Sequence, residues 1–580
     1  MIALALAAAL LAQDVAEQEP NNDGEKSKQE IAPGATFTGS LDPEGDQDWV
    51  HVVCDKDTVC SLAVEIPEGD SARLEIHLAR AVLSTRAGDG TLMALRVRFP
   101  KGRTSLRLVG KAKGYSCKIT AEERGERQEI EPNNETEEAI EILEGQTWRG
   151  HNSGFAHDLD CYKFKAEKAG PREIVLKCLP RKEGPFNGYI GLFGADPLKV
   201  DYYYINTYAN EFHFYPVIDA GDWNVQLTIG GDTSAGAAYE ISVLPMGGKV
   251  TADEVKAAQA AIDRATRHLM KVDTDQPLQP VATAAESMVL AALSEGRGAK
   301  DRREDLDRDI VSRFETRFLK VEGSPVLYVE NNIYTHAMAT LGLAEAAANG
   351  SEKAKALAIK AAEFLIATQN TERKPAAFKG PFDRKARGYG GWRYSPEEGR
   401  GDLSIVGWCV IALTAVDAAG IKLDGLRDAI EAGLVYTGTV GDEKGFGYEQ
   451  PQGGSNVHNS IGALLCLLYG VESPALGFAT RELDRRLWSA TQVDHGEGYM
   501  FYYLYYATRA QYLRSGDAWE TWRATALRQL LRRQQEDGSW AAFGYESAPG
   551  PRWTTAIGLM MLRLCLNEPP KYLRVEAKGF

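Results

Sequence analysis

Near its start the chain spells a short acidic motif, and 112 residues later it spells it again: Glu17-Gln18-Glu19-Pro20-Asn21-Asn22 returns as Glu129-Ile130-Glu131-Pro132-Asn133-Asn134. A second pair, Asp46-Gln47-Asp48-Trp49 and Asp158-Leu159-Asp160-Cys161, keeps the same spacing. Two motifs holding one offset mark a duplicated unit. Within each copy apolar residues alternate with polar ones, as in Trp49 to Val53, Ala94 to Phe99, Tyr162 to Lys165 and Trp223 to Leu227. Short alternating runs broken by Gly, Pro and Asp predict two antiparallel β-sandwich domains, over 13–125 and 126–247.

The Glu-Pro-Asn-Asn stretch, a Gly39-Ser40-Leu41 turn and the segment Gly45 to Trp49 together resemble the bacterial pre-peptidase C-terminal (PPC) domain. Such domains are jelly-roll-like modules appended to secreted enzymes and related to the collagen-binding domains of clostridial collagenases. The second copy departs at Cys161, where an aromatic is usual, although Tyr162 follows. The resemblance covers Glu17 to Leu244 and implies an exported accessory region without catalysis. It also implies calcium, which takes six to eight oxygens in flexible geometry. The resembling modules hold the ion with a Glu-x-Glu-x-Asn stretch and with Asp residues before a strand. The expected ligands are Glu17, Glu19, Asn21, Asn22, Asp46 and Asp48, then Glu129, Glu131, Asn133, Asn134, Asp158 and Asp160. The alternative is that these are solvated acids and turn formers around Pro20 and Pro132.

Beyond Thr251 the pattern turns helical. More polar helices begin near Asp253, Asp301, Ser351, Leu423, Pro474 and Ala518, and apolar ones near Val281, Asn331, Asp402, Asn456, Glu497 and Arg552. The former want solvent on one side; a helix apolar all round, such as 405–419, wants burial all round. A ring of six hairpins with the apolar helices inside meets both demands, which predicts an all-α (α/α)6 toroid over 251–567 and a tail at 568–580. Glycines stand beside an aromatic in the loops, as in Gly390-Gly391-Trp392, Gly445-Phe446-Gly447-Tyr448 and Gly538-Ser539-Trp540. The run Gln535-Glu536-Asp537-Gly538-Ser539-Trp540 looks like the Gln–Trp (QW) repeat of squalene and hopene cyclases. This half resembles the terpenoid cyclase/protein prenyltransferase toroid family.

Fold does not carry function. Squalene cyclisation in that family needs an Asp-x-Asp-Asp acid, and the nearest approaches here are Asp273-Thr274-Asp275 and Asp305-Leu306-Asp307-Arg308-Asp309, the latter on a charged outer helix. The zinc set of prenyltransferases is not matched by Asp402, Cys409 and His458, and there is no nucleotide motif. Inner-helix starts should converge on one mouth of the ring. Ligand-binding candidates there are Asn332, Trp392, Tyr394, Asp402, Trp408, Asn456, Tyr499 and Trp553; catalytic candidates are His336, His458, Tyr503 and Arg552. The leading expectation is a toroid without cyclase chemistry that binds a ligand or partner (glycan, isoprenoid or protein). The alternatives are a polysaccharide lyase or other carbohydrate-active enzyme working at the mouth, and a divergent cyclase-like enzyme. A lyase would use His and Tyr for proton transfer and Asn or Arg to neutralise a uronate.

With 66 basic and 81 acidic residues the net charge is −15, which argues against nucleic acid as a partner. The apolar run Ile2 to Ala12 is too short to cross a bilayer and reads as a signal peptide over 1–12, placing the protein in the periplasm, at the cell surface or outside the cell. Among the eight cysteines, Cys54 and Cys60 flank a turn and Cys161 and Cys178 can face each other across strands; export permits both bridges, and Cys117 has no evident partner. The insert from Asn370 to Gly401 has no periodicity and carries Arg384, Lys385 and Arg387. It reads as a lid or a docked loop, with an anionic ligand conceivable beside it.

Overall fold

Strands form where apolar residues alternate and helices where they recur every three or four. The structure, a computed structural model, describes residues 14–43, 45–85, 90–123, 125–155, 158–179, 186–194, 200–207, 211–230, 238–246, 249–271, 280–315, 318–320, 327–329, 332–485, 500–542 and 544–574. The proposed signal segment and Tyr499 lie outside them. The chain divides into two compact units, 1–245 and 246–580.

The first unit is β-rich. Its first copy is organised by β1 (Thr36–Leu41), β2 (Gln47–Cys54), β3 (Thr58–Glu65), β4 (Ser71–His77) and the long β5 (Gly102–Glu122). The first half of β5 lies between β2 and β4, and its second half between β1 and β3. At the crossover stands Gly110, where a Cβ would sit 2.2 Å from the Ser71 carbonyl oxygen. The second copy uses β6 (Thr147–His151), β7 (Leu159–Ala166), β8 (Gly170–Cys178), β9 (Phe186–Phe193), β10 (Gly221–Gly230) and β11 (Ala238–Pro245). Here β10 lies between β7 and β9, and β11 between β6 and β8. The pairing of the first copy is thus repeated, with the two halves of β5 replaced by two strands. Each copy has its own core, fed by both strand sets: Phe37, Val52, Leu62, Leu74 and Leu106 in the first, Phe164, Leu176, Val225 and Ile241 in the second. The expected Gly39–Leu41 turn is strand, part of β1. All eight cysteines are buried.

The second unit alternates outer and inner helices. The outer ones are α1 (Ala252–Leu269), α3 (Arg303–Leu306 continued through Asp307–Val311 and Ser312–Glu315), α5 (Glu352–Thr368), α7 (Leu426–Thr439), α9 (Pro474–Arg485) and α11 (Gly516–Arg533). The inner ones are α2 (Pro280–Ser294), α4 (Ile333–Ala348), α6 (Leu403–Ala418), α8 (Asn456–Tyr469), α10 (Met500–Arg514) and α12 (Gly550–Cys565). Each inner helix packs on the next, and α12 packs back on α2, so the α/α ring closes. Burial follows the sequence. In α6, Leu403 through Val416 are all buried, whereas α1 buries only the stripe Ala258, Ala261, Ile262, Ala265 and Leu269.

One device recurs around the ring. The Gln369 side chain, at the end of outer helix α5, donates to the Ala429 carbonyl of the next outer helix (2.8 Å); Gln534, at the end of α11, donates to the Ala261 carbonyl of α1 (2.9 Å). Just beyond, Trp392 and Trp540 donate their indole N–H to Leu365 and Leu530 in the last turns of the same helices. The glutamine of the Gln–Trp pair is therefore Gln534; Gln535 accepts from Ser539 instead. At the ring's far end the turn Lys571–Arg574 packs on α6 and buries Tyr572 and Leu573. There Arg509, fully buried, donates to the Tyr572 hydroxyl (2.7 Å). Among the described residues no single helix is long and apolar enough to cross a membrane.

Candidate functional sites

Both acidic motifs fold into carboxylate clusters. Oxygens of Glu17, Glu19, Asp46 and Asp48 lie within 4.8 Å of one another, as do those of Glu129, Glu131 and Asp160. Asp158 stands beside the second cluster, its Oδ2 accepting from the Ser153 N–H at 2.7 Å. A tyrosine supports each cluster: Tyr115 donates to Asp48 (2.6 Å), and Tyr239 to Asp160 (2.5 Å). A glycine makes room for each. A Cβ on Gly39 would sit 2.5 Å from the Glu17 carboxylate, and one on Gly150 would sit 2.2 Å from that of Glu129. Asn22 and Asn134 play a different part from the one expected, accepting from the Gln47 and Leu159 N–H groups and so tying the motif to the strand that follows.

Several buried acceptors in the clusters have no hydrogen-bond partner among the described residues: Oδ1 of Asn21 and Asp48, then Glu129 Oε1 and Oδ1 of Asn133, Asp158 and Asp160. Burial, then the neighbouring carboxylates, push Glu129 and Asp158 well up, Glu131 up to about 7, and burial raises Asp160 to about 6. Burial also raises Glu17 and Asp48. Like charges packed out of water with unmet lone pairs are what a hard cation resolves, and the all-oxygen donor set fits calcium.

In the ring, the first turns of the inner helices gather aromatic side chains around Asp402. This residue caps α6, its Oδ1 accepting from the Ser404 N–H (2.8 Å), and it is fully buried; the Tyr448 hydroxyl faces the same carboxyl group from the rim. Tyr334 of α4 stacks on Tyr394 (6.5 Å between ring centres) and Tyr502 (6.2 Å), and Trp408 donates to the Tyr502 hydroxyl (3.1 Å). Tyr448 and Tyr394 form the rim, 37% and 42% exposed, with Arg393 over both rings. Tyr448 is pushed up by burial and by the facing Asp402, while burial pulls His458, 5.4 Å from the Tyr448 ring, down. An acid, a phenol and an imidazole thus meet at the rim, beside the first turns of α6 and α8.

The expected residues are only partly brought together here. Tyr394, Asp402 and His458 are at the mouth. Asn332 caps α4 by accepting from the Tyr334 N–H, and Asn456 is the first residue of α8. Trp408 and Trp553 lie 6.3 Å apart beneath the surface, walls behind the site. Four candidates are corrected. His336 is buried against Phe364 with Nε2 on the Ala361 carbonyl, and burial lowers it to about 4. Tyr503 faces Trp522 of α11. Trp392 is buried on the outer layer, as described above. Arg552 pairs with Glu286 and donates to the Leu269 and Lys271 carbonyls, fastening α12 to its neighbours. Arg393 and Tyr448 were absent from the candidates; the Gly-aromatic loop motif around Tyr448 was the available signal.

The insert is pinned at both ends. Asn370 donates to the Arg400 carbonyl, and the buried Lys374 ammonium donates to Asn370 Oδ1 (2.6 Å) and the Glu398 carbonyl (3.2 Å).

No family model matches the chain, and no curated protein matches it. Among solved structures it is similar to the pre-peptidase C-terminal domain of a collagenase from Bacillus anthracis (20% identity over 18% of this chain and 93% of that one, TM-score 0.16). It is also similar to D-mannose isomerase (12% identity, 55% of this chain and 99% of that one, TM-score 0.38). A third is cellobiose 2-epimerase from Spirochaeta thermophila (16% identity, 50% and 88%, TM-score 0.35). These likenesses are of fold only and say nothing of what this chain acts on; the ring stands on its own helix contacts.

Proposed function

We propose that the chain is an exported carbohydrate-active protein: two calcium-bound, PPC-like β-sandwich modules accompany a ring whose mouth binds a sugar. One observation carries the sugar reading. Asp402 is buried among aromatic rings, and among the described residues the one group facing its Oδ2 is the half-exposed rim hydroxyl of Tyr448, so a buried acceptor is left short of donors at the rim. A sugar brings hydroxyl donors to the carboxylate and a flat apolar face to Tyr334, Tyr394 and Tyr448. An isoprenoid brings no donor and would leave Asp402 unsatisfied in a drier site. Asp402, Tyr448 and His458 are the groups placed to move protons on a bound sugar.

Calcium would be held by Glu17, Glu19, Asn21, Asp46 and Asp48 and by Glu129, Glu131, Asn133, Asp158 and Asp160, stabilising the β-rich unit by binding only its folded form. The mouth is tested by calorimetric titration with a panel of neutral and uronic-acid sugars, following product ends by ultraviolet absorbance and NMR. Asp402→Asn keeps the helix cap, since the amide oxygen can accept from the Ser404 N–H, and removes only the charge. Sugar affinity should fall about tenfold or more with an unchanged melting temperature. Equal affinity of the variant, or binding of an isoprenoid and of no sugar, would sink the reading.

A further inference from the structure

We propose that the mouth opens into a groove that holds the acidic residues of an anionic oligosaccharide. This rests on the reading of the mouth as a sugar site. Tyr448, on the rim, also lines a cleft of about 450 Å³ between the insert and the Gly445–Gly453 loop. That cleft shares Arg387, Glu449 and Gln450 with a second of about 200 Å³. The second shares Arg384, Tyr389 and Val435 with a third of about 710 Å³ over α7. The three clefts therefore adjoin around the flank of the insert and reach the rim at Tyr448, whose hydroxyl faces the buried Asp402. Their floor is glycine. A Cβ on Gly388 would sit 2.2 Å from the Gly399 carbonyl oxygen, so the two arms of the insert touch backbone to backbone and leave room above them.

The charge along these clefts is uneven. Around the two clefts next to the mouth stand Arg384, Lys385, Arg387 and Arg400, with Glu449 the one acid. Glu449 is already taken by Arg393 and by Arg400 (3.5 Å). Arg384 pairs with Glu372, outside the two clefts. Arg387 donates to the Gln450 amide oxygen and has no carboxylate partner among the described residues; nor has Lys385. The third cleft mixes Arg373 and Arg384 with Glu372, Asp428 and Glu431 and is not cationic. Asp383 stands nearby, its carboxylate accepting from the Lys385 backbone N–H (2.7 Å), but neither the Lys385 nor the Arg387 side chain is in an ion pair among the described residues. With Arg384 and Arg400 they outnumber the local acids on a chain of net charge −15, and a guanidinium suits a carboxylate's two oxygens. The occupant is thus a glycan whose end sits at Asp402 and whose next residues bear carboxylates.

The test uses the full chain and two probes of equal length: a hyaluronan hexasaccharide, which alternates acidic and neutral sugars, and its carboxyl-reduced form. The acidic hexamer should bind about tenfold more tightly than the reduced one. The advantage should vanish at high salt and in a Lys385→Ala/Arg387→Ala double variant, while the reduced hexamer binds as before. Both side chains are exposed, so the variant's melting temperature should match the parent's. Equal binding of the two hexamers, with both weakened by Asp402→Asn, would overturn the groove and leave the mouth standing. An advantage that survives the double variant would overturn it too. Failure of both hexamers to bind would overturn the groove, and the sugar reading would then be decided by the wider panel.

Discussion

A carboxyl group buried among other carboxyls reports its discomfort through pH. Glu131 is raised to about 7, by burial and then the charge of Asp160, and Asp160 to about 6 by burial. A raised carboxyl gives stability that is full below its unfolded value and lost as pH climbs through the folded one. The chelated protein should therefore melt at a higher temperature near pH 5 than near pH 7. Calcium binds the ionised forms, so saturating calcium should flatten or reverse that slope, and Asp160→Asn should flatten it without calcium. Thermal melts at the two pH values with chelator or calcium decide this; a slope that Asp160→Asn leaves unchanged would remove these acids from the account. These residues were legible in the sequence because the motif is short and repeated, so its two copies vouch for each other. Tyr115 and Tyr239 were not, since they reach the clusters from strands distant in sequence and no local pattern marks them.

Elements carry their own predictions. The Gln534 amide ties α11 to α1, where the chain's last outer helix meets its first, and also donates to the Gly538 carbonyl (3.1 Å). Gln534→Ala should cost the helical unit about 1–3 kcal/mol by leaving half-buried carbonyls unmet, read as a lower denaturation midpoint of the helical signal. An unchanged midpoint would mean that packing alone closes the ring. Gly150→Ala pushes a methyl group into the Glu129 carboxylate and the Tyr239 ring, and should cost about 1–3 kcal/mol as well as calcium affinity. Helix existence and order were readable throughout, since polar and apolar helices alternate. Phase was not. In α10 every residue from Met500 to Gln511 is buried, so no polar face marks the inside. One residue is about 100° of rotation, which separates Tyr502, beside Trp408, from Tyr503, beside Trp522. His336 failed likewise, pointing from α4 towards α5 and away from the mouth.

At the scale of the molecule, two units with separate cores should unfold separately. Calcium at about a hundred times its dissociation constant should raise the β-rich unit's transition by about 5–10 °C and leave the helical transition where it was. Calorimetry and circular dichroism together resolve the two, and equal shifts of both would refute independent unfolding. The turn Lys571–Arg574 has a consequence for truncation. It buries Tyr572 and Leu573 against inner helix α6 and gives the buried Arg509 a hydroxyl partner. Cutting the chain before Lys571 would therefore strand a guanidinium among the inner helices and loosen the ring from within.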